Sequence, residues 1–269
     1  MITGIDASRW QGKLPVYDLE EAGIEFVFLK AVHGAAKNPD GEFRGNWERL
    51  SNTRMLKSAY GWFTDADPNE QAEAVIRVVE KVGECDLPLA ADFEEPSTIF
   101  RGNQLADRFR LYLRRLRELS GQPKLLLYSG KWYIDQYLAG VNIDDLVEEN
   151  YYWHAEYPRV ELRDKRQCGL LPPTLRAPSL PSAWVRAGVK QTLWQWDGNG
   201  GCVLPNGVDA DFNQFDGDLS ALRALLPNYS ISDTLPAGPI EYISPTVVRA
   251  EDFNLSLVDI DSDLPDTTR

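Results

Sequence analysis

Pro88-Leu-Ala-Ala-Asp-Phe-Glu-Glu-Pro96 reads as a buried strand that ends by presenting two carboxylates on one face. Successive strand side chains alternate, so Asp92 and Glu94 point the same way with Cα atoms roughly 6–7 Å apart. Leu87, Leu89, Ala91 and Phe93 are then expected on the opposite face, packed against helices. Two acids and small residues inward, with apolar bulk outward, fit the C-terminal end of a barrel strand, where barrel enzymes mount catalytic groups. The pair is also of the kind that glycoside hydrolysis uses.

Working outward, short β-rich runs alternate with helical patterns through residue 226, the signature of a mainly parallel sheet with crossover helices. The expected strands are Ile2–Asp6, Phe26–Val32, Ser58–Phe63, Leu87–Glu94, Lys124–Ser129, Tyr151–Glu156, Thr192–Asp197 and Val208–Phe212. Together they suggest a closed α/β barrel. Helices are expected over Asn69–Val82, after an Asp-Pro start, and over Gln104–Leu119, Lys131–Leu138 and Asp218–Leu226. The Pro- and Arg-rich stretch Arg163–Arg186 has no clean period and reads as a long rim loop.

A chain of 269 residues suits one large domain, since α/β barrels run to roughly 200–250 residues. After Leu226 the character changes. Residues 231–269 hold eight acids against Arg249 and Arg269, with prolines at 236, 239, 245 and 265. The expected organisation is a barrel over 1–226 followed by an acidic tail over 227–269, either an extended arm or partly disordered.

With 28 basic and 41 acidic residues, the formal charge of −13 offers no basic surface for phosphates or anionic lipids, so neither nucleic acid nor membrane is an expected partner. Met1-Ile-Thr-Gly-Ile-Asp-Ala carries no signal-peptide pattern, so cytosolic synthesis without a leader is expected. Cys85, Cys168 and Cys202 are too few and scattered for a disulfide framework, and His33 and His154 form no ligand spacing. No metal and no cofactor is expected.

In a barrel the strand ends converge, which would bring Asp6, Asp65, Asp67, Asp92, Glu94, Asp197, Asp209 and Asp211 to one mouth, with Lys30 and His33 nearby. Several like charges in a poorly solvated mouth cannot all stay ionised, so at least one carboxyl pKa should rise, as a general acid requires. Asp65, Asp67, Glu95 and Asp197 read as solvated surface groups. Aromatic residues crowd the same ends: Trp10, Trp62, Tyr128, Trp132, Trp153 and Trp194. Sugar rings stack on such planes, and their hydroxyls suit Asp, Asn and Gln. A carbohydrate groove is the reading these residues favour.

The ordered pieces Gly4-Ile-Asp6-Ala-Ser, Phe26-Val-Phe-Leu-Lys30-Ala, Asp92-Phe-Glu94, Leu127-Tyr128-Ser129 before Trp132, Tyr152-Trp153-His-Ala155-Glu-Tyr157, Trp194-Gln195-Trp196 and Asp211-Phe-Asn213-Gln-Phe215-Asp-Gly217 resemble glycoside hydrolase family 25 lysozymes, which include many phage endolysins. The resemblance covers roughly residues 1–226. It implies a TIM-like (β/α) barrel with an irregular closing half, and cleavage of the β-1,4 bond between N-acetylmuramic acid and N-acetylglucosamine. Carried over by position, Glu94 is the general acid. Asp92 assists at the anomeric side, directly or by orienting the substrate's N-acetyl group, and Asp6 and Asp211 complete the acidic groove. Trp62, Tyr128, Trp153, Trp194 and Gln195 are the expected substrate-binding residues. Gly61-Trp62-Phe63 departs from the family's usual Tyr-His-Phe-like strand three, so one sugar subsite should differ. The expected partner is bacterial peptidoglycan, reached as a phage lysin or virion-associated wall enzyme. Two alternatives stay open: a catalytically silent glycan-binding or structural phage barrel, and a related glycosidase acting on another N-acetylated polymer.

Overall fold

The computed structural model describes residues 1–157, 177–198 and 209–226. Eight strands close a barrel in sequence order: β1 Ile2–Ala7, β2 Ile24–His33, β3 Leu56–Trp62, β4 Ala90–Asp92, β5 Leu126–Gly130, β6 Tyr151–Ala155, β7 Leu193–Asp197 and β8 Asp211–Phe215. The first seven run parallel. The closing strand β8 is antiparallel to both β1 and β7. Around them lie α1 Val16–Glu21, α2 Phe43–Leu50, α3 Pro68–Val79, α4 Gly102–Ser120, α5 Lys131–Tyr137, α6 Asp144–Glu149, α7 Ser182–Ala187 and α8 Leu219–Arg223.

The two faces of each strand feed two cores. Ile2, Phe26, Phe28, Leu56, Tyr60, Ala90, Leu126, Trp153 and Leu193 fill the barrel, while Ile5, Val27, Leu29, Ala59, Ala91, Leu127 and Tyr152 meet the helices outside. Gly4 is required inside, because a Cβ there would lie 2.3 Å from the Phe26 ring. Gly61 is required outside, because its Cβ would meet the Tyr112 hydroxyl and Val75 Cγ2 at 2.4 Å. The bare backbone lets α3 and α4 close on β3 next to Trp62.

The helix signals read from the sequence act as expected in α3 and α4. The Asp67 carboxylate caps α3, accepting from the N–H groups of Asn69 at 2.9 Å and Glu70 at 3.1 Å, with Pro68 in the first turn. In α4 the inward stripe is Leu105, Ala106, Phe109, Tyr112, Leu113 and Leu116, and Gly121 ends the helix in the left-handed conformation at φ 69°.

Four expectations need correction. The ladder of the fourth strand spans only Ala90–Asp92, and Leu87 belongs to the interior core, not to the helix-facing side. Pro88 has no N–H for a ladder, and the Leu87 and Pro88 carbonyls both accept from the Ser58 hydroxyl, so strict alternation begins only after them. The last strand begins at Asp211, not Val208, and runs antiparallel. The stretch read as a loop ends in a helix, α7, which buries Ala183 and Trp184. Finally, α1, α2 and α6 are helices that the periodic pattern did not single out. The acidic tail expected over 227–269 lies outside the described residues.

Candidate active site

The β4 strand places the acid pair. Leu89, Ala91 and Phe93 face outward, and the Phe93 ring stacks on Phe109 of α4 with centroids 3.8 Å apart and planes 4° apart. Ala90, Asp92 and Glu94 therefore face inward. Just beyond the ladder, the Phe93 carbonyl accepts from the Ser129 hydroxyl at 2.7 Å and its N–H donates to the Tyr128 carbonyl at 2.9 Å. These contacts fix the backbone between the two acids.

A cavity of about 830 Å³ opens at this end of the barrel, and Asp6, Asp92, Glu94, Asp209 and Asp211 all line it. Asp6 and Asp211 are direct partners in the β1–β8 register. Because β8 is antiparallel, its first residue, not its last, sits level with the C-terminal ends of the parallel strands. Both Asp209 and Asp211 reach the cavity. Asp211 is partly buried on the ladder, and Asp209 is exposed at its edge.

Asp6 is held by amides. Its Oδ2 accepts from Gln195 Nε2 at 2.8 Å and Asn213 Nδ2 at 2.7 Å. Those amides are themselves oriented: Gln195 Oε1 accepts from the Tyr128 and Tyr157 hydroxyls, both at 2.8 Å, and Asn213 Oδ1 accepts from Trp153 Nε1 at 2.7 Å. Burial pushes the Asp6 pKa up to about 6, and the two amide hydrogen bonds oppose the rise.

Asp92 is buried, and its Oδ1 has no hydrogen-bond partner among the described residues. Burial drives its pKa well above the usual carboxylate range, and the Glu94 charge adds to this, while Lys30 opposes it. Glu94 is pushed up to about 7, first by burial and then by the Asp6 charge, against the Tyr128 hydroxyl and Lys30. Both carboxyls of the pair are thus shifted toward the protonated form.

Residues 5–203 match the family model of glycosyl hydrolases family 25. The chain belongs to that family. Among its relatives, the uncharacterised protein YegX of Escherichia coli (strain K12) is 27% identical over 231 residues, covering 84% of this chain and 73% of YegX. Lysozyme M1 of Streptomyces globisporus is 23% identical over 236 residues, covering 84% and 72%. The bacterial lysozyme from Streptomyces coelicolor superposes with a TM-score of 0.67 at 21% identity, over 85% of this chain and 98% of that one. Family 25 membership makes the chain a glycoside hydrolase of the lysozyme type.

Within this family 25 barrel, Trp62, Tyr128, Trp153 and Gln195 line the cavity. Trp194 does not. It packs in the outer core and donates its indole N–H to the Glu156 carbonyl at 2.8 Å, because it neighbours the inward-facing Gln195 and so points the other way. Asp197 is buried rather than a solvated surface group. Glu95, also expected on the surface, accepts the Trp62 indole N–H at 2.5 Å and lies 3.4 Å from His33 Nε2. Tyr60 is a lining residue that the sequence reading passed over, although it shares a strand face with Trp62. Trp10 and Trp132, both largely exposed, stand at the rim on opposite sides of the barrel, after β1 and β5.

Proposed function

We propose that this enzyme hydrolyses the β-1,4 bond between N-acetylmuramic acid and N-acetylglucosamine in bacterial peptidoglycan, and so acts on the cell wall. The observation that carries this reading is the pairing of buried Asp92 with partly buried Glu94 on one wall of a groove of about 830 Å³ in a family 25 barrel, where burial raises the pKa of both carboxyls. Glu94 is the general acid. It gives its proton to the glycosidic oxygen as the bond from that oxygen to the anomeric carbon breaks, and a water molecule completes the hydrolysis at the anomeric carbon. Asp92 works at the anomeric side, with Oδ1 unengaged and so available to a polar group of the bound sugar, such as the N–H of its acetamido substituent. Asp6 holds its place through Gln195 and Asn213 and adds negative potential, together with Asp211. Trp10 and Trp132 supply apolar faces for sugar rings at the two rims, and Tyr128, Trp153 and Trp62 form the wall between them.

The test is turbidity loss of a peptidoglycan suspension together with the masses of the soluble products. Wild-type enzyme is expected to release fragments ending in reducing N-acetylmuramic acid and to leave chitin intact. Glu94→Gln is expected to reduce the rate by at least about 10³-fold with the circular dichroism spectrum unchanged. Retained lysis by Glu94→Gln would sink the assignment.

A further inference from the structure

Trp62 is expected to be a sugar platform, yet its ring already has polar company. Lys30 Nζ lies 3.9 Å from the ring centroid, and the His33 imidazole stacks on the ring at 5.7 Å with 22° between planes. The indole N–H is committed to Glu95 Oε2, which also lies 3.4 Å from His33 Nε2. The indole is therefore clamped at its edge by a carboxylate, and its π-face carries an ammonium. A cation over an indole face is attracted by the ring quadrupole, more strongly when water is excluded. Lys30 comes from β2, one strand away from Trp62 on β3, and lines the same cavity as Asp92 and Glu94.

We propose that Trp62 and Glu95 are positioning residues that seat the Lys30 ammonium on the wall of the cavity that Asp92 and Glu94 also line, so that its charge acts on the acid pair. This rests on the reading of Asp92 and Glu94 as the reacting pair. The titratable and charged groups around the ammonium are His33 at the end of β2, Asp92 at the end of β4, Glu94 just beyond it, Asp40 in the loop following β2, and Arg9 in the turn after β1. Asp6 and Glu95 act on Asp92 as well. A seated Lys30 favours the ionised form of both members of the pair, so loss of the seat should raise their titration.

The experiment is a carboxyl ¹³C NMR titration of Asp- and Glu-labelled protein, with the pair assigned from Asp92→Asn and Glu94→Gln. Lys30→Met and Trp62→Leu are each expected to raise the pair's midpoints by about 0.5–1 pH unit. Trp62→Leu made in the Lys30→Met background should add nothing further. Glu95 gives the sharper contrast, because its own charge raises Asp92, so simple charge removal would lower the midpoint. Glu95→Ala, which leaves the indole without an acceptor, is expected to raise the midpoint. Glu95→Gln, which still offers an oxygen, should not. Midpoints that stay at wild-type values in Glu95→Ala and Trp62→Leu, or Trp62→Leu that raises only KM with the pH profile unmoved, would overturn the proposal. Should Trp62→Leu fail to fold, the Glu95 pair at the half-exposed rim decides alone. The titration needs no turnover, so failure of wild-type enzyme to degrade peptidoglycan would count against the proposed function and leave this result standing.

Discussion

At the residue scale the site works by setting neighbouring carboxyls against one another. Asp6 cannot reach the chemistry freely, because two amides hold one of its oxygens, but its charge is the second cause of the high Glu94 pKa after burial. Asp6→Asn keeps the shape and removes that charge. Its amide oxygen can still accept from Gln195 and Asn213. The Glu94 pKa is then expected to drop below about 7, so the basic limb of the kcat/KM profile should move to lower pH by about 0.5–1 unit. The rate at pH 5, where Glu94 stays protonated in both proteins, should change far less than the rate at pH 8. A uniform loss at every pH would instead mark Asp6 as a direct contact to substrate.

At the element scale the acid pair depends on the other face of its own strand. β4 has only three laddered residues, so Phe93, wedged against Phe63, Phe109 and Tyr133, does much of the anchoring. Phe93→Ala is expected to cost about 3–5 kcal/mol in urea unfolding. It should also lower kcat, because Asp92 and Glu94 flank the lost ring. Much of this was legible in the sequence. The alternation of Leu89, Ala91 and Phe93 against Asp92 and Glu94 follows from the pleat alone. Leu87 was misread because alternation holds only where the backbone joins a ladder, and Pro88 interrupts it. Trp194 and Gln195 are adjacent in one strand and cannot share a face, so period-two reasoning alone could have separated them. The direction of β8 was beyond such reasoning, since alternation assigns faces and says nothing of whether a strand runs up or down. The contacts of Glu95 were illegible for a related reason: they join β4 to side chains of β2 and β3, and only the closed barrel brings these together.

At the scale of the whole molecule, the same buried acids make stability depend on pH in an unusual sense. Asp6 and Glu94 have folded-state pKa values of about 6 and about 7, above the 3.8 and 4.5 of unburied carboxyls, and Asp92 is raised as well. Between roughly pH 4 and pH 7 the folded chain therefore binds more protons than the unfolded one, and stability falls as pH rises through that window. This is the reverse of a protein whose carboxylates are stabilised by salt bridges. The overall charge of −13 at pH 7 adds self-repulsion of the same sign. Urea unfolding is thus expected to show a more stable enzyme at pH 5 than at pH 8. The double variant Asp92→Asn/Glu94→Gln should exceed wild type by about 1–3 kcal/mol at pH 8, with most of that gain gone by pH 4. A gain equal at both pH values would attribute the effect to packing rather than to buried charge. A double variant less stable than wild type at pH 8 would mean that the groove solvates its ionised acids well, and the strained pair assigned to catalysis would lose its physical basis.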